Sequence, residues 1–220
     1  MEDLQGLPVI HIRRVPLNDP VNAMVKRAVD IVGAIVGIVL FSPIMLIVAV
    51  LIKLTSPGPI IFCQERVGLH NRLFKMYKFR SMVTNAEELK KKLAEETGQE
   101  DRFIFKMKDD PRITKVGHFI RKTSLDEFPQ FYNVLKGDMS LVGPRPALPE
   151  EVARYGSLYS ARLLVKPGIT GPWQVSGRSD LSQEQSEYLD VSYIENWSIA
   201  GDLAILAKTV MVIFTGRGSY

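Results

Sequence analysis

The side chains best suited to chemistry stand together in Ser124-Leu125-Asp126-Glu127-Phe128-Pro129-Gln130. Glu127 follows Ser124 by three residues, which predicts a helix start closed by a capping box. Such a start presents free N–H groups and the positive end of a dipole, and would hold Asp126 and Glu127 ionised and fixed. Arg121 and Lys122 come just before, and the Gly143-Pro144-Arg145-Pro146 turn comes soon after. Paired carboxylates ringed by arginines suit chemistry on a phosphate. An ordinary capped helix with a solvated acidic first turn gives the same local pattern.

Two stiff loops add cations. Prolines on both sides of Arg145 reduce its backbone freedom, and a guanidinium on a stiff loop can fork onto phosphate oxygens. Lys166-Pro167-Gly168-Ile169-Thr170-Gly171-Pro172 opens a second such loop, which ends at Arg178. Lys78 and Arg80 lie two residues apart on one strand and so share a face. That face suits an anion or a solvated strand end equally.

The elements that must carry these groups begin with a long apolar run. From Ile31 to Ile52, 22 residues pass without a charge, about 33 Å as a helix and enough to cross a bilayer core. Ser42-Pro43 sits in its middle. Proline removes an N–H and breaks or kinks a helix, and a neighbouring serine can bond to the freed backbone groups. Arg13, Arg14, Lys26 and Arg27 precede the run; Lys53, Arg66 and Arg72 follow it. Positive flanks on both sides place both ends in the cytoplasm. The expectation is therefore a re-entrant helix pair, broken at Ser42-Pro43, that dips into one leaflet; a kinked single pass is the alternative.

Downstream, Ile60 to Arg66 and Leu73 to Met82 read as a hairpin around Gly68-Leu69-His70-Asn71. A helix is expected over 85–97, a short one before Lys122, one from Leu125 to Leu135 stopped by Gly137, and a helical region over 149–164. Ser182 and Gln185 predict a capped helix to Glu195, on which Asp190 and Tyr193 share a face. A last helix over 198–214 shows Leu203, Leu206, Val210 and Phe214 on one side, which fits either an interface-lying amphipathic helix or packing on the core. Asp202 near its start reads as a plain cap. The fold class is α+β, mostly helical, with a small hairpin-based sheet.

Composition narrows the classes. The 220 residues are 46% hydrophobic and 24% charged, with a net charge of +4. A mild basic excess fits nucleic acid, an anionic membrane surface or phosphorylated substrates. The Lys90-Lys91-Lys92 run has no interleaved aromatics, which argues against nucleic acid. Cys63 is alone and His11, His70 and His118 lie far apart, so an intrachain disulfide is excluded and a His-based metal site is not expected.

These blocks in this order carry a resemblance. Tyr77-Lys78-Phe79-Arg80-Ser81-Met82, Arg121 to Gln130, Asp138 to Pro146, Lys166 to Gly171 and Trp173-Gln174-Val175, with the run broken at Ser42-Pro43, resemble the bacterial sugar transferases. These are monotopic phosphoglycosyl transferases of the bacterial inner membrane, working at its cytoplasmic face. The resemblance covers about residues 22 to 217. It implies transfer of a sugar 1-phosphate from a UDP-sugar to polyprenyl phosphate, the first membrane step of glycoconjugate or exopolysaccharide assembly. In the family the residue matching Asp126 is the nucleophile and forms an aspartyl-phosphosugar. The residue matching Glu127 is its acid/base partner, and Mg²⁺, held at Asp126, assists. Arg121, Arg145 and Arg178 match phosphate-holding positions; Lys78, Arg80 and Asp202 match polar positions lining the same site.

The implied organisation is an N-terminal arm over 1–21, the membrane helix pair over 22–54, and a catalytic domain over 55–220 at the cytoplasmic face. The arm has the look of the tail of an upstream domain, which fits either a fragment or a small natural member. Partners implied are the UDP-sugar, polyprenyl phosphate and lipid of one leaflet, with oligomerisation left open. Two rival readings are direct attack by polyprenyl phosphate, with Asp126 only a metal ligand, and a non-catalytic membrane-anchored scaffold with a polybasic face.

Overall fold

In a computed structural model, residues 3–4, 7–8, 15–89, 110–153, 155, 159–177 and 181–215 are described. The strands β1 (Asp3–Leu4) and β2 (Leu7–Pro8) form a two-residue antiparallel ladder. The rest is mostly helical around one long element, α1 (Pro20–Thr55). Asp19 caps it by accepting from the Val21 and Asn22 amides, and Pro20 fills the first helical position, where its missing N–H costs nothing.

This helix is long and apolar enough, by length and composition, to cross a membrane. It is one continuous helix, where the sequence reading expects two parted at Ser42-Pro43. The local chemistry explains the continuity. Pro43 cannot donate to the Val39 carbonyl four residues back. Ser42 Oγ donates to that carbonyl instead, at 2.9 Å.

One stripe of α1 is buried: Lys26, Asp30, Ala34, Gly37, Val48 and Ile52. Phe41 and Met45, partly buried, continue it between Gly37 and Val48. The stripe therefore runs through the proline. At Gly37 a Cβ would stand 2.8 Å from the Phe131 ring, so only glycine permits this approach. Most of the other faces are exposed and apolar, with Val32, Val36, Val39, Leu40, Leu46 and Ile47 all more than half exposed.

The rest of the chain builds the surface under that stripe. The hairpin appears as expected: β3 (Ile61–Val67) pairs antiparallel with β4 (Leu73–Phe79), with Phe62 opposite Lys78. Residues 86–89 are helical, while 90–109 of the expected 85–97 helix and of the loop after it lie outside the described residues. Then come α2 (Lys115–Lys122), a 3-10 turn at Leu125–Glu127 and α3 (Gln130–Lys136). Gly137 ends α3 at φ +93°, as the sequence predicts.

Beyond α3, β5 (Ser140–Val142) pairs in parallel with β6 (Gly168–Thr170), a second small sheet that the sequence does not announce. Between them lie α4 (Pro149–Val152) and a 3-10 helix at Tyr159–Leu164, which together occupy the region read as helical. After β6 come α5 (Pro172–Val175), α6 (Gln183–Glu195) and α7 (Ile199–Thr215). The capping box of Ser182 and Gln185 is present on α6.

Two apolar clusters fix α1 to this body. Ala34 packs with Phe74, Met76, Val134, Met139, Leu141 and Val142. Val48 and Ile52 pack with Phe79 and Ile120. Polar groups of α1 lock the same interface. Asp30 accepts from Ser140 Oγ at 2.8 Å and the Leu141 amide at 2.9 Å. Arg27 donates to the Val134 and Leu135 carbonyls, satisfying the open end of α3.

Candidate active site

Asp126 and Glu127 lie on the 3-10 turn, not on a regular helix start. Ser124 takes a left-handed conformation, φ +57°, and makes no side-chain cap hydrogen bond. This corrects the expected capping box. It also corrects the continuous helix from Leu125 to Leu135, and Pro129 is the reason. Pro129 has no N–H for the Leu125 carbonyl, which is bonded by the Phe128 amide instead. The turn tightens, and α3 starts only at Gln130.

The helix α3, directly after the turn, is tied to strand β4 by Asn133, which is fully buried. Its side-chain oxygen accepts from the Tyr77 amide at 3.0 Å, and its nitrogen donates to the Lys75 carbonyl at 2.7 Å. One side chain thus occupies the pairing edge of β4 as a third strand would. Lys78 is thereby set against the dyad, and its Nζ lies 2.7 Å from Glu127 Oε1.

Asp126 is 9% exposed. Burial, with the Glu127 charge beside it, raises its carboxyl from the ordinary 3.8 to about 6, against the opposing pull of Lys78 and Arg121. The two carboxylates therefore differ. Glu127 is partly exposed and ion-paired, while Asp126 is buried and costly to ionise without further positive charge.

Arg145 sits half-buried on a loop whose backbone is held from four directions. The Pro144 carbonyl accepts from the Gly168 amide and the Ala147 carbonyl from the Val67 amide. Between them, Arg162 donates to the Arg145 carbonyl at 2.8 Å and Arg66 to the Pro146 carbonyl at 3.0 Å. Arg66 is itself buried, and burial together with the Arg145 charge lowers its pKa to about 10. The concentration of positive charge here favours an anion.

The remaining expected site residues are placed as follows. Arg121 is exposed in the last turn of α2. Arg80 is buried just past β4, with Nη2 2.7 Å from both the carbonyl and the hydroxyl of Ser56 at the end of α1. Its Nε and Nη1 have no hydrogen-bond partner among the described residues. Arg178 lies outside the described residues. Asp202 is 2% exposed. It accepts from Lys26 Nζ at 2.7 Å, Tyr193 Oη at 2.8 Å and Trp197 Nε1 at 3.1 Å. The carboxylate read as a plain helix cap instead ties α7 to α1.

Arg66, Asn133, Arg162 and Asp190 are missed by sequence reasoning. Each acts by burial and contact with residues distant in the chain, and no local spacing marks them. The one available signal was the shared face of Asp190 and Tyr193 on α6.

Among the described residues no group of three or more His, Cys, Asp or Glu side chains could hold a metal ion. The donor set fits a magnesium ion nonetheless. Mg²⁺ commonly takes one or two carboxylates and fills its shell with water and phosphate oxygens. Asp126, whose ionised form is short of positive charge, is such a carboxylate.

The profile of the family described as bacterial sugar transferase matches residues 21–216. The chain is 49% identical over 199 residues to the galactosyl transferase CpsE of Streptococcus agalactiae, covering 90% of this chain and 44% of that protein. It is 48% identical over 206 residues to the undecaprenyl-phosphate galactose phosphotransferase of Salmonella typhimurium, covering 90% and 42%. It is 39% identical over 204 residues to the exopolysaccharide production protein ExoY of Rhizobium meliloti, covering 91% and 90%. The chain thus spans less than half the length of the first two and nearly all of the third.

Proposed function

From a chain that belongs to the bacterial sugar transferase family, we propose a phosphoglycosyl transferase that moves a sugar 1-phosphate from a UDP-sugar to polyprenyl phosphate. The observation that carries this reading is the buried Asp126 beside the Glu127–Lys78 ion pair, with Arg121 acting on it electrostatically. The names of relatives support the substrate class, including a UDP-glucose:undecaprenyl-phosphate glucose-1-phosphate transferase of Escherichia coli, 40% identical.

In the proposed first step, an Asp126 oxygen forms a bond to the phosphorus that bears the sugar. The bond from that phosphorus to the bridging oxygen breaks, and UMP leaves. In the second step a polyprenyl phosphate oxygen attacks the same phosphorus and releases the Asp126 carboxylate, giving polyprenyl-diphosphate sugar. A carboxylate is a competent nucleophile once phosphate charge is neutralised. Arg145 and Arg121 hold the phosphates, with Arg178 and Arg80 assigned to the same task. Glu127, ion-paired with Lys78, handles the acceptor's proton. Mg²⁺ bound at Asp126 would supply further charge neutralisation.

The length and apolar surface of α1 support membrane attachment. The stripe from Lys26 to Ile52 touches the body throughout, whereas a spanning helix would leave ~30 Å free for lipid. This supports α1 lying in one leaflet of the bacterial inner membrane, with residues 55–220 at the cytoplasmic face. Leu203 and Val210, more than half exposed on α7, would meet the same interface. Cysteines placed near residues 20 and 55 should be labelled from one side of sealed vesicles; labelling from opposite sides contradicts α1 lying in one leaflet. For the activity, UMP release is scored against UDP-glucose, UDP-galactose and N-acetylated UDP-sugars with polyprenyl phosphate present. One sugar should give UMP, and Asp126→Asn should abolish it. UMP release by Asp126→Asn at the wild-type rate contradicts the nucleophile assignment.

A further inference from the structure

The Arg145 carbonyl is not held by the sheet but by a buried guanidinium, and that guanidinium belongs to a small polar cluster. Arg162 Nη2 donates to the Arg145 carbonyl at 2.8 Å and lies 3.1 Å from Asp190 Oδ2, an ion pair in which, among the described residues, the Asp190 oxygens accept no hydrogen bond. Arg162 Nη1 donates to Tyr155 Oη at 2.7 Å and also to Tyr159 Oη. The Asp190 and Arg162 side chains are 1% and 8% exposed. A cavity of about 10 Å³ beside them, lined by Pro144, Arg145, Tyr155 and Arg162 among others, has room for about one water.

A buried ion pair is costly to desolvate and weak as a source of stability. Its geometric effect here is definite. Asp190 comes from α6 and Arg162 from the 3-10 helix, and together they fix one donor on the carbonyl of the residue that carries the phosphate-binding guanidinium. Arg66 fixes the next carbonyl from β3. Without the Asp190 charge, Arg162 keeps its length and its bonds to Tyr155 and Tyr159 but loses the buried counter-charge that holds it beside the Arg145 carbonyl.

We propose that the Asp190–Arg162 pair is a positioning device for Arg145, setting the angle at which its guanidinium meets the donor diphosphate. The inference rests on Arg145 holding substrate phosphate. Small errors in placing such a group cost rate and binding out of proportion to their effect on the fold.

The test is a double-mutant cycle on the full chain in lipid vesicles, read as kcat and KM for the UDP-sugar that gives UMP release. Asp190→Asn should lower kcat/KM about tenfold, mainly through KM. Placed on Arg145→Lys, which keeps a charge but loses the fork, the same change should cost less than twofold. An equal loss in both backgrounds overturns the proposal, as does a fall in thermal midpoint with kcat/KM unchanged. Arg145→Lys with wild-type kcat/KM overturns the phosphate reading itself. That outcome is distinct from a loss at Arg145→Lys with none at Asp190→Asn, which removes the positioning role alone. If Asp190→Asn does not fold, Tyr159→Phe is judged by the same criteria, with about a threefold loss expected.

Discussion

Phe41 of α1 stands with its ring centroid 4.6 Å from that of Phe128, the residue directly after Glu127. Phe131 joins the pair, 5.9 Å from Phe128. Phe41 also immediately precedes Ser42-Pro43, so the middle of the apolar helix is packed onto the turn that holds the dyad. Phe41→Ala should remove two aromatic pairs, with Phe128 and Phe131, and part of a half-buried side chain, costing about 1–3 kcal/mol of stability. UMP release should fall about tenfold while the protein stays folded, checked by circular dichroism beside the activity assay.

The acid side of the pH profile should report the dyad. Burial and Glu127 raise the Asp126 carboxyl to about 6, and as the proposed nucleophile it must be ionised. The ratio kcat/KM, which reflects the free enzyme, should therefore rise with pH through about 6. Glu127→Gln removes the repelling charge and should move the acid limb downward. Lys78→Met removes an attracting charge and should move it upward. An acid limb that both variants leave in place contradicts the assignment.

The same shift makes a statement about stability. The folded pKa of Asp126 is raised, so the native state binds the proton more tightly than the unfolded state. Stability then falls as pH rises from about 4 to about 6 and stays lower above that. Asp126→Asn removes the cost of ionisation. It should be more stable than wild type at pH 7.5, on the order of 1–3 kcal/mol, and the gain should shrink towards pH 4. Thermal midpoints at the two pH values measure this.

The tie between α7 and α1 gives a fourth expectation. Lys26→Met leaves Asp202 buried with Tyr193 and Trp197 as its side-chain donors among the described residues, and breaking a buried pair costs ~3–5 kcal/mol. Lys26→Met with Asp202→Asn removes both charges of this pair, leaves Asp30 held by Ser140 and the Leu141 amide, and should recover part of that loss. Denaturant unfolding in detergent distinguishes the two.

Local chemistry was readable from the sequence. The hairpin follows from two apolar strands around four turn residues, the α6 cap from Ser182 and Gln185, and the end of α3 from Gly137. At Ser124 the same reasoning failed because the pattern for a capping box was present, while Pro129 four residues after Leu125 forced a tighter turn. At Ser42-Pro43 the helix runs on through the proline, since a hydroxyl bonds the carbonyl that the missing N–H would have met and the buried stripe holds both halves. The dyad and Arg145 were legible as residue types on stiff segments. The groups that aim them were not, because Asn133 reaches across 56 residues of chain to Tyr77, and Arg162 across 17 to Arg145, through contacts that only folding creates.

The central claim is that Asp126 becomes covalently attached to sugar phosphate, and peptide mass spectrometry without acceptor tests it most directly. Wild-type protein incubated with Mg²⁺ and the productive UDP-sugar, but no polyprenyl phosphate, should release about one UMP per chain. The peptide bearing Asp126 should gain the mass of the sugar phosphate, and added polyprenyl phosphate should discharge it. UMP released only when acceptor is present, with that peptide unmodified throughout, would contradict the account and point to direct attack by the lipid phosphate.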